Sequence, residues 1–318
     1  MTVETSSGPS SRGDDGARAV LARLGLADAG PVSLAAGLSS DAWRIRAAAG
    51  EAVLRMPVEP ADGVGTYPIE HLLLARLTEL GAPVPAPIQG SWLIPGWPLG
   101  PFSLTSLVPG IPLRPESMTW AAAQVGRFVG QLHGLPVTGH GPLGELAGAL
   151  VGTSADAEGG LLAAFAGQPL WPFGGTPLTA HPALAERPDL VTAIEVHAPA
   201  IRHAALGPPA VIVHSDLHEE NILEDGGRLG FIDFGECFAG AAAWEFATLA
   251  YFGGWPWADH SLAADPPGPD PSSRAVAVAL LALSFGLYRW QQDRRLGVDD
   301  EAHDEAFLWA TLARLSAG

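Results

Sequence analysis

The sequence predicts an α+β fold in two lobes: a small N-terminal lobe with an antiparallel sheet and one helix, and a larger, mainly helical C-terminal lobe. Three observations carry this. A length of 318 residues suits two compact units better than one. Strand-like runs at Ala52–Arg55 and Phe102–Val108 enclose a strongly helical stretch from Glu70 to Leu80, and Pro109-Gly110 breaks that pattern. Beyond the break, long apolar helical segments dominate, interrupted by a strand–turn–strand signal between Val211 and Ile232.

The elements follow in order. Residues 1–12, rich in Ser, Thr and Gly, are expected to be disordered. The N-terminal lobe then spans 13–108, and the C-terminal lobe 109–318. A short helix is expected from Asp14 or Asp15, with Ala17, Val20, Leu21 and Leu24 on one face. A hairpin turn falls at Gly37–Asp41. The next helix carries Leu72, Leu73, Leu74, Leu77 and Leu80. Residues 119–134 read as the first core helix of the large lobe, with Thr119 at its N-cap. Residues 136–182, rich in Gly and Pro, read as a long irregular insert. Helices are expected near 188–204, 242–253, 274–296 and 299–316.

The most informative stretch is His214-Ser-Asp216-Leu-His218-Glu-Glu-Asn221, followed by Phe231-Ile-Asp233-Phe-Gly235. It reads H-x-D-x-x-x-x-N and then D-F-G on an apolar strand, the pattern of kinase-type phosphoryl transfer. A hydroxyl attacking phosphorus needs a carboxylate to orient it and take its proton, and Asp216 is assigned that role. A nucleoside triphosphate, ATP or GTP, brings Mg²⁺, a hard cation that prefers oxygen ligands. Asn221 offers an amide oxygen and Asp233 a carboxylate. His214 reads as a brace. His218 faces either the substrate or its own loop; both readings are open.

The wording D-L-H-x-x-N-I-L, and the short step from Gly235 to Ala243-Trp-Glu245-Phe-Ala-Thr-Leu, resemble the aminoglycoside phosphotransferase family, the small-molecule branch of the protein-kinase-like fold. No A-P-E follows, as a protein kinase would require. The resemblance implies roles in the first third of the chain. Ser39 and Ser40 would lie in a phosphate-covering turn, and Arg55 would grip phosphates where relatives place Lys or Arg. Glu70 would pair with Arg55, unless it is a solvated helix residue. Backbone near Ser106 and Val108 would meet the purine at a lobe hinge. Glu245 would brace the catalytic loop.

Composition narrows the acceptor. The formal net charge is −17, and all 17 basic residues are arginine. Such a field disfavours nucleic acid and anionic membrane and favours cationic ligands. The expected acceptor is a small, hydroxylated polycation: an aminoglycoside or a tuberactinomycin-type cyclic peptide such as viomycin or capreomycin. A metabolic kinase for choline, homoserine or an amino sugar, a macrolide kinase, and a silent pseudokinase are the alternatives. Candidate substrate contacts are His218, Glu219, Glu220, Glu236, Asp259 and Asp304; the last also reads as part of an acidic helix start. Trp255, Trp257 and Trp290 read as core or as pocket wall. No membrane-spanning or leader pattern is read. The lone Cys237 excludes an internal disulfide framework, and with the dependence on nucleotide it points to the cytoplasm.

Overall fold

The structure, a computed structural model, describes residues 11–36, 40–47, 50–58, 66–166, 168–265, 271–298 and 300–317. Ser39 and the segment 1–10 lie outside the described residues. The chain divides into two compact units, Met1–Pro109 and Gly110–Gly318.

The first unit runs α1 (Ser11–Arg23), β1 (Val32–Ala36), β2 (Ser40–Ala47), β3 (Gly50–Pro57), α2 (Tyr67–Glu79), β4 (Pro87–Gly90) and β5 (Ser103–Ser106). Its strands form one antiparallel sheet in the order β1-β2-β3-β5-β4. Alternation explains the register: Trp43 and Ile45 of β2, and Ala52 and Leu54 of β3, point into one core with Leu104 of β5 and with Ala17, Val20 and Leu21 of α1. Each large apolar side chain buried there contributes roughly 1.5–3 kcal/mol. Asp14 accepts a hydrogen bond from Trp43 Nε1 at 2.8 Å, tying α1 to the sheet. Helix α1 begins at Ser11, inside the stretch expected to be disordered. Once Ala17, Val20 and Leu21 are packed, adding residues to a formed helix costs little.

The second unit runs β6 (Ile111–Pro112), α3 (Met118–His133), β7 (His140–Leu146), β8 (Ala149–Ser154), α4 (Ala157–Ala164), α5 (Pro188–Glu195), α6 (Ala198–Leu206), β9 (Val211–Val213), β10 (Ile222–Asp225), β11 (Arg228–Phe231), β12 (Phe238–Gly240), α7 (Ala243–Gly253), α8 (Trp255–Ala264), α9 (Pro271–Leu296) and α10 (Glu301–Ala317). Its small sheets are β11-β10-β6 and β8-β7-β12-β9.

Three local expectations are corrected. The N-cap of α3 is Ser117, not Thr119; its hydroxyl donates to Glu224 Oε2 at 3.1 Å rather than capping. The 136–182 segment is not irregular throughout. It holds the β7–β8 hairpin and α4, because its glycines fall at the turn, where Gly148 has φ +81, and at close approaches. Helix α8 was hidden by Pro256, which sits in its first turn, where no N–H partner is needed.

Helix α3 positions the motif hairpin. Its Phe128 stacks on Phe231 of β11 with ring centroids 3.8 Å apart and meets Phe234 edge-on at 6.2 Å. Its Gln124 donates to Gly227 O (3.0 Å) and accepts from Leu229 N (3.3 Å) across the β10–β11 turn. On its other side α8 comes close enough that a Cβ on Gly126 would lie 2.1 Å from Ser261 O. Helix α9 is long and apolar enough to cross a membrane by length and composition alone, yet most of its apolar stretch is buried within the protein.

Candidate active site

The catalytic-loop backbone is held in an unusual shape. Val213 ends β9, and the chain turns at Ser215 with φ +66 before Asp216. Asp233, after β11, has φ +62. Neither is glycine, and a left-handed conformation at such a residue costs roughly 1–3 kcal/mol. The surrounding bonds impose it. Buried Glu245 on α7 accepts the His214 N–H at 2.6 Å through Oε2. Burial pushes its carboxyl up to about 8, against the pull of the His214 and Ser215 backbone N–H groups. Ser215 Oγ donates to Glu236 O at 3.0 Å. The fully buried His214 ring bonds Ile232 O through Nε2 at 3.2 Å and packs on Phe234 at 4.7 Å. Burial lowers its pKa, so it acts as a neutral brace between the two motif strands.

Asp216 and Asn221 are brought together. Asn221 Nδ2 donates to Asp216 O at 2.9 Å and to Asp216 Oδ2 at 3.1 Å. The loop between them is a single short turn at Glu219–Asn221, closed by Asn221 N donating to His218 O at 3.0 Å. His218 Nε2 lies 3.6 Å from Asp216 Oδ2. Burial alone would lower the His218 pKa; hydrogen bonding and charge from Asp216, with Glu219 and Glu220, outweigh it and hold the imidazole above its ordinary value. Asn221 O accepts from Ile232 N at 3.0 Å, which sets the D-F-G strand beside the loop. Glu236 keeps contact with solvent, yet partial desolvation and the charges of Asp216 and Asp233 raise its pKa. Asp216, Asp233 and Glu236 thus share one electrostatic neighbourhood.

In the first unit, Arg55 on β3 donates to Glu70 Oε1 on α2 at 2.6 Å, and its guanidinium lies 5.6 Å from the Tyr67 ring centre. Glu70 is almost completely buried. Ser40 opens β2 opposite Pro57. Ser106 spends both polar groups on Ala86: its N–H donates to Ala86 O, and its hydroxyl accepts from Ala86 N, both at 2.8 Å. That ties the end of β5 to the segment before β4 and leaves the Ser106 N–H unavailable to a purine. Val108 is half-buried just beyond the strand.

The sequence matches the phosphotransferase enzyme family over residues 32–266, more than two thirds of the chain. The chain belongs to that family. This phosphotransferase, an enzyme of transfer to hydroxyl groups, has a protein-kinase-like fold. No curated protein matches it significantly. Among solved structures it is similar to a thermostable variant of aminoglycoside phosphotransferase APH(4)-Ia in a ternary complex with AMP-PNP and hygromycin B. That match has 16% identity and a TM-score of 0.63, over 91% of this chain and 94% of the other. It is similar to the GDP and kanamycin complex of APH(2")-IIia at 17% identity and a TM-score of 0.55, over 90% and 93%. A choline/ethanolamine kinase family protein from Mesorhizobium loti matches at 19% identity and a TM-score of 0.55, over 96% and 94%.

One candidate contact of the phosphotransferase is buried, and another is partly exposed but paired with an arginine. Asp304 on α10 is completely buried; its Oδ1 accepts from Tyr251 Oη at 2.7 Å, and burial pushes it up to about 6. Asp259 on α8 is paired with Arg314 of α10 at 2.7 Å, and that guanidinium lies 4.2 Å from the Trp255 ring centre. An acid at a helix start reads the same in sequence whether it meets a ligand, a cation or the core. Trp257 and Trp290 are core residues, and Trp255 stacks on Phe307 at 6.1 Å. The half-exposed aromatic residues beside the loop are instead Phe252, 5.4 Å from the His218 ring, and Tyr288, whose pKa is raised by burial and by the Glu236 charge. Sequence reasoning missed both.

Proposed function

We propose that this phosphotransferase moves the γ-phosphate of ATP or GTP to a hydroxyl of a small, hydroxylated molecule carrying positive charge. One observation carries the proposal most: Asp216 is fixed by Asn221 on a loop whose strain at Ser215 is imposed by bonds from two other segments, α7 and the chain after β11. Such preorganisation fits a base that must meet a hydroxyl in one orientation. Asp216 accepts the acceptor proton. Arg55, held by Glu70, grips the donor phosphates as a fixed cation. Nucleotide complexes of the structural relatives, with AMP-PNP and GDP, support a nucleotide donor.

The donor set fits Mg²⁺. The Asn221 amide nitrogen is committed to Asp216, so its amide oxygen, with the Asp233 carboxylate, would hold the ion. Among the described residues no group of three or more His, Cys, Asp or Glu side chains could hold a metal; a Mg²⁺ ion that keeps its waters and the phosphates needs only one or two protein oxygens. The ion would neutralise charge on the triphosphate.

The acids Glu219, Glu220 and Glu236 around Asp216 favour a cationic acceptor. The aminoglycoside complexes of the relatives favour an antibiotic, and with it a resistance role in the cytoplasm. The match to a choline/ethanolamine kinase family protein, at the same TM-score of 0.55 as the kanamycin complex, favours a metabolic amino alcohol as the second reading. The test is ADP and GDP release with Mg²⁺ against aminoglycosides, tuberactinomycins, macrolides, choline and homoserine, paired with growth protection of a sensitive host. Turnover of an antibiotic with protection supports resistance. Turnover of choline or homoserine alone supports metabolism. Release of neither diphosphate with any acceptor overturns the proposal.

A further inference from the structure

Acids gather around Asp216, and a cation on α9 is linked to the same loop through two ring contacts. Arg289 lies with its guanidinium 5.5 Å from the Phe252 ring centre and 5.7 Å from that of Tyr251. Phe252 in turn packs against His218, whose ring reaches Asp216. Tyr288, the neighbour of Arg289 on the helix, feels the charges of both Arg289 and Glu236. Arg289 therefore reaches the loop of Asp216 through Phe252 and His218.

Arg289 is under-used as a structural residue. A guanidinium carries five N–H donors in a planar fork. Among the described residues it makes one hydrogen bond, from Nη2 to Asp293 Oδ1 at 3.0 Å. Its Nε is buried with no partner, although a buried donor left unmade costs roughly 1–3 kcal/mol. Asp293 does not depend on it alone, because Tyr251 Oη lies 3.1 Å from its other oxygen. About a quarter of the Arg289 side chain is exposed. A guanidinium stacked on aromatic rings presents its N–H edge sideways, the geometry that meets a carboxylate or carbonyl oxygen.

We propose that Arg289 is a specificity-determining residue that reads an oxygen acceptor, a carboxylate or carbonyl, carried by the same molecule whose hydroxyl meets Asp216. The inference rests on the phosphotransfer reading above and sharpens its acceptor. With Glu236 near Asp216, the site suits a molecule bearing both an amine cation and such an oxygen: a hydroxylated amino acid or a peptide-type compound. A polyamine or quaternary amine without carbonyl oxygens would meet the guanidinium as a like charge and leave its donors unused.

The test uses the full chain with ATP and GTP and four probes. Viomycin and homoserine carry carbonyl or carboxylate oxygens; kanamycin and choline do not. Diphosphate release is expected with viomycin or homoserine. Arg289→Met should raise KM for that probe at least tenfold, with kcat within about threefold, and Arg289→Lys should recover part of the loss. ADP affinity and the thermal midpoint check folding. If Arg289→Met fails to fold, Arg289→Lys decides, with at least a threefold rise in KM expected at an unchanged midpoint. Three results overturn the inference: an unchanged KM in the variant that decides, a fall in kcat alone, or turnover confined to kanamycin and choline. Turnover of none of the four also overturns it, and if the wider acceptor screen is silent too, the phosphotransfer reading falls with it.

Discussion

The catalytic loop and the C-terminal helices treat their acids in opposite ways. In the loop region, Asp216, Asp233 and Glu236 stay at least partly open to solvent and act on one another through space. In α8, α9 and α10, Asp259, Asp293 and Asp304 are each met by a partner: Arg314, Arg289 with Tyr251, and Tyr251. A count of acids would rank the two regions together. Backbone geometry separates them. The loop spends main-chain groups and strain to hold its carboxylates at the solvent-facing side of the motif, whereas the helices use theirs to fasten one helix to the next.

Four substitutions press on that contrast, from the largest effect to the smallest. Glu245→Ala removes the buried acceptor that holds the His214 N–H. Leaving buried N–H groups unmade, together with a cavity, should cost about 3 kcal/mol of stability and release the strained turn at Ser215. Turnover should fall at least a hundredfold in protein that still folds at low temperature; a variant with wild-type turnover would show that the loop holds itself. Glu70→Ala should come next. It frees Arg55 from a nearly buried pair, and removing one partner of such a pair is strongly destabilising. A rise in nucleotide KM of roughly tenfold or more is expected, visible in ATP titrations at saturating acceptor.

Asp304→Asn tests the other region by pH. The Asp304 pKa is raised from 3.8 to about 6 in the folded chain. The stability this acid contributes when protonated is present below its unfolded pKa and lost as pH rises through about 6. Wild type should therefore lose on the order of 2 kcal/mol relative to Asp304→Asn between pH 4 and pH 7. Parallel melting curves across that range would contradict the burial of this carboxylate. Asp259→Ala should do least. Its pair with Arg314 is partly exposed, so a change below about 1 kcal/mol and unchanged KM for acceptor are expected. A large rise in acceptor KM would restore Asp259 as a substrate contact.

The same contrast explains what the sequence made legible. The motif residues could be read because their chemistry demands fixed spacing: four residues separate Asp216 from Asn221, and both sit on one turn closed by a hairpin of apolar residues. The Arg55–Glu70 pair was legible only through the resemblance to the family, which places a cation on that strand and an acid on the following helix. Asp304 was misread because burial and solvation at a helix start leave the same letters. Phe252, Tyr288 and Arg289 went unread because they come from two helices, α7 and α9, whose relative packing no local pattern encodes. The β7–β8 hairpin was missed because glycine marks both irregular chain and tight turns.

On the proposed mechanism, Asp216 serves chemistry and not nucleotide binding. The most direct measurement is a pair on one sample of Asp216→Asn: ADP affinity by calorimetry, and acceptor-dependent nucleotide turnover. An unchanged affinity within about twofold, with turnover reduced at least a hundredfold, in the range expected for loss of a general base, is the result the account predicts. Turnover within tenfold of wild type would contradict it.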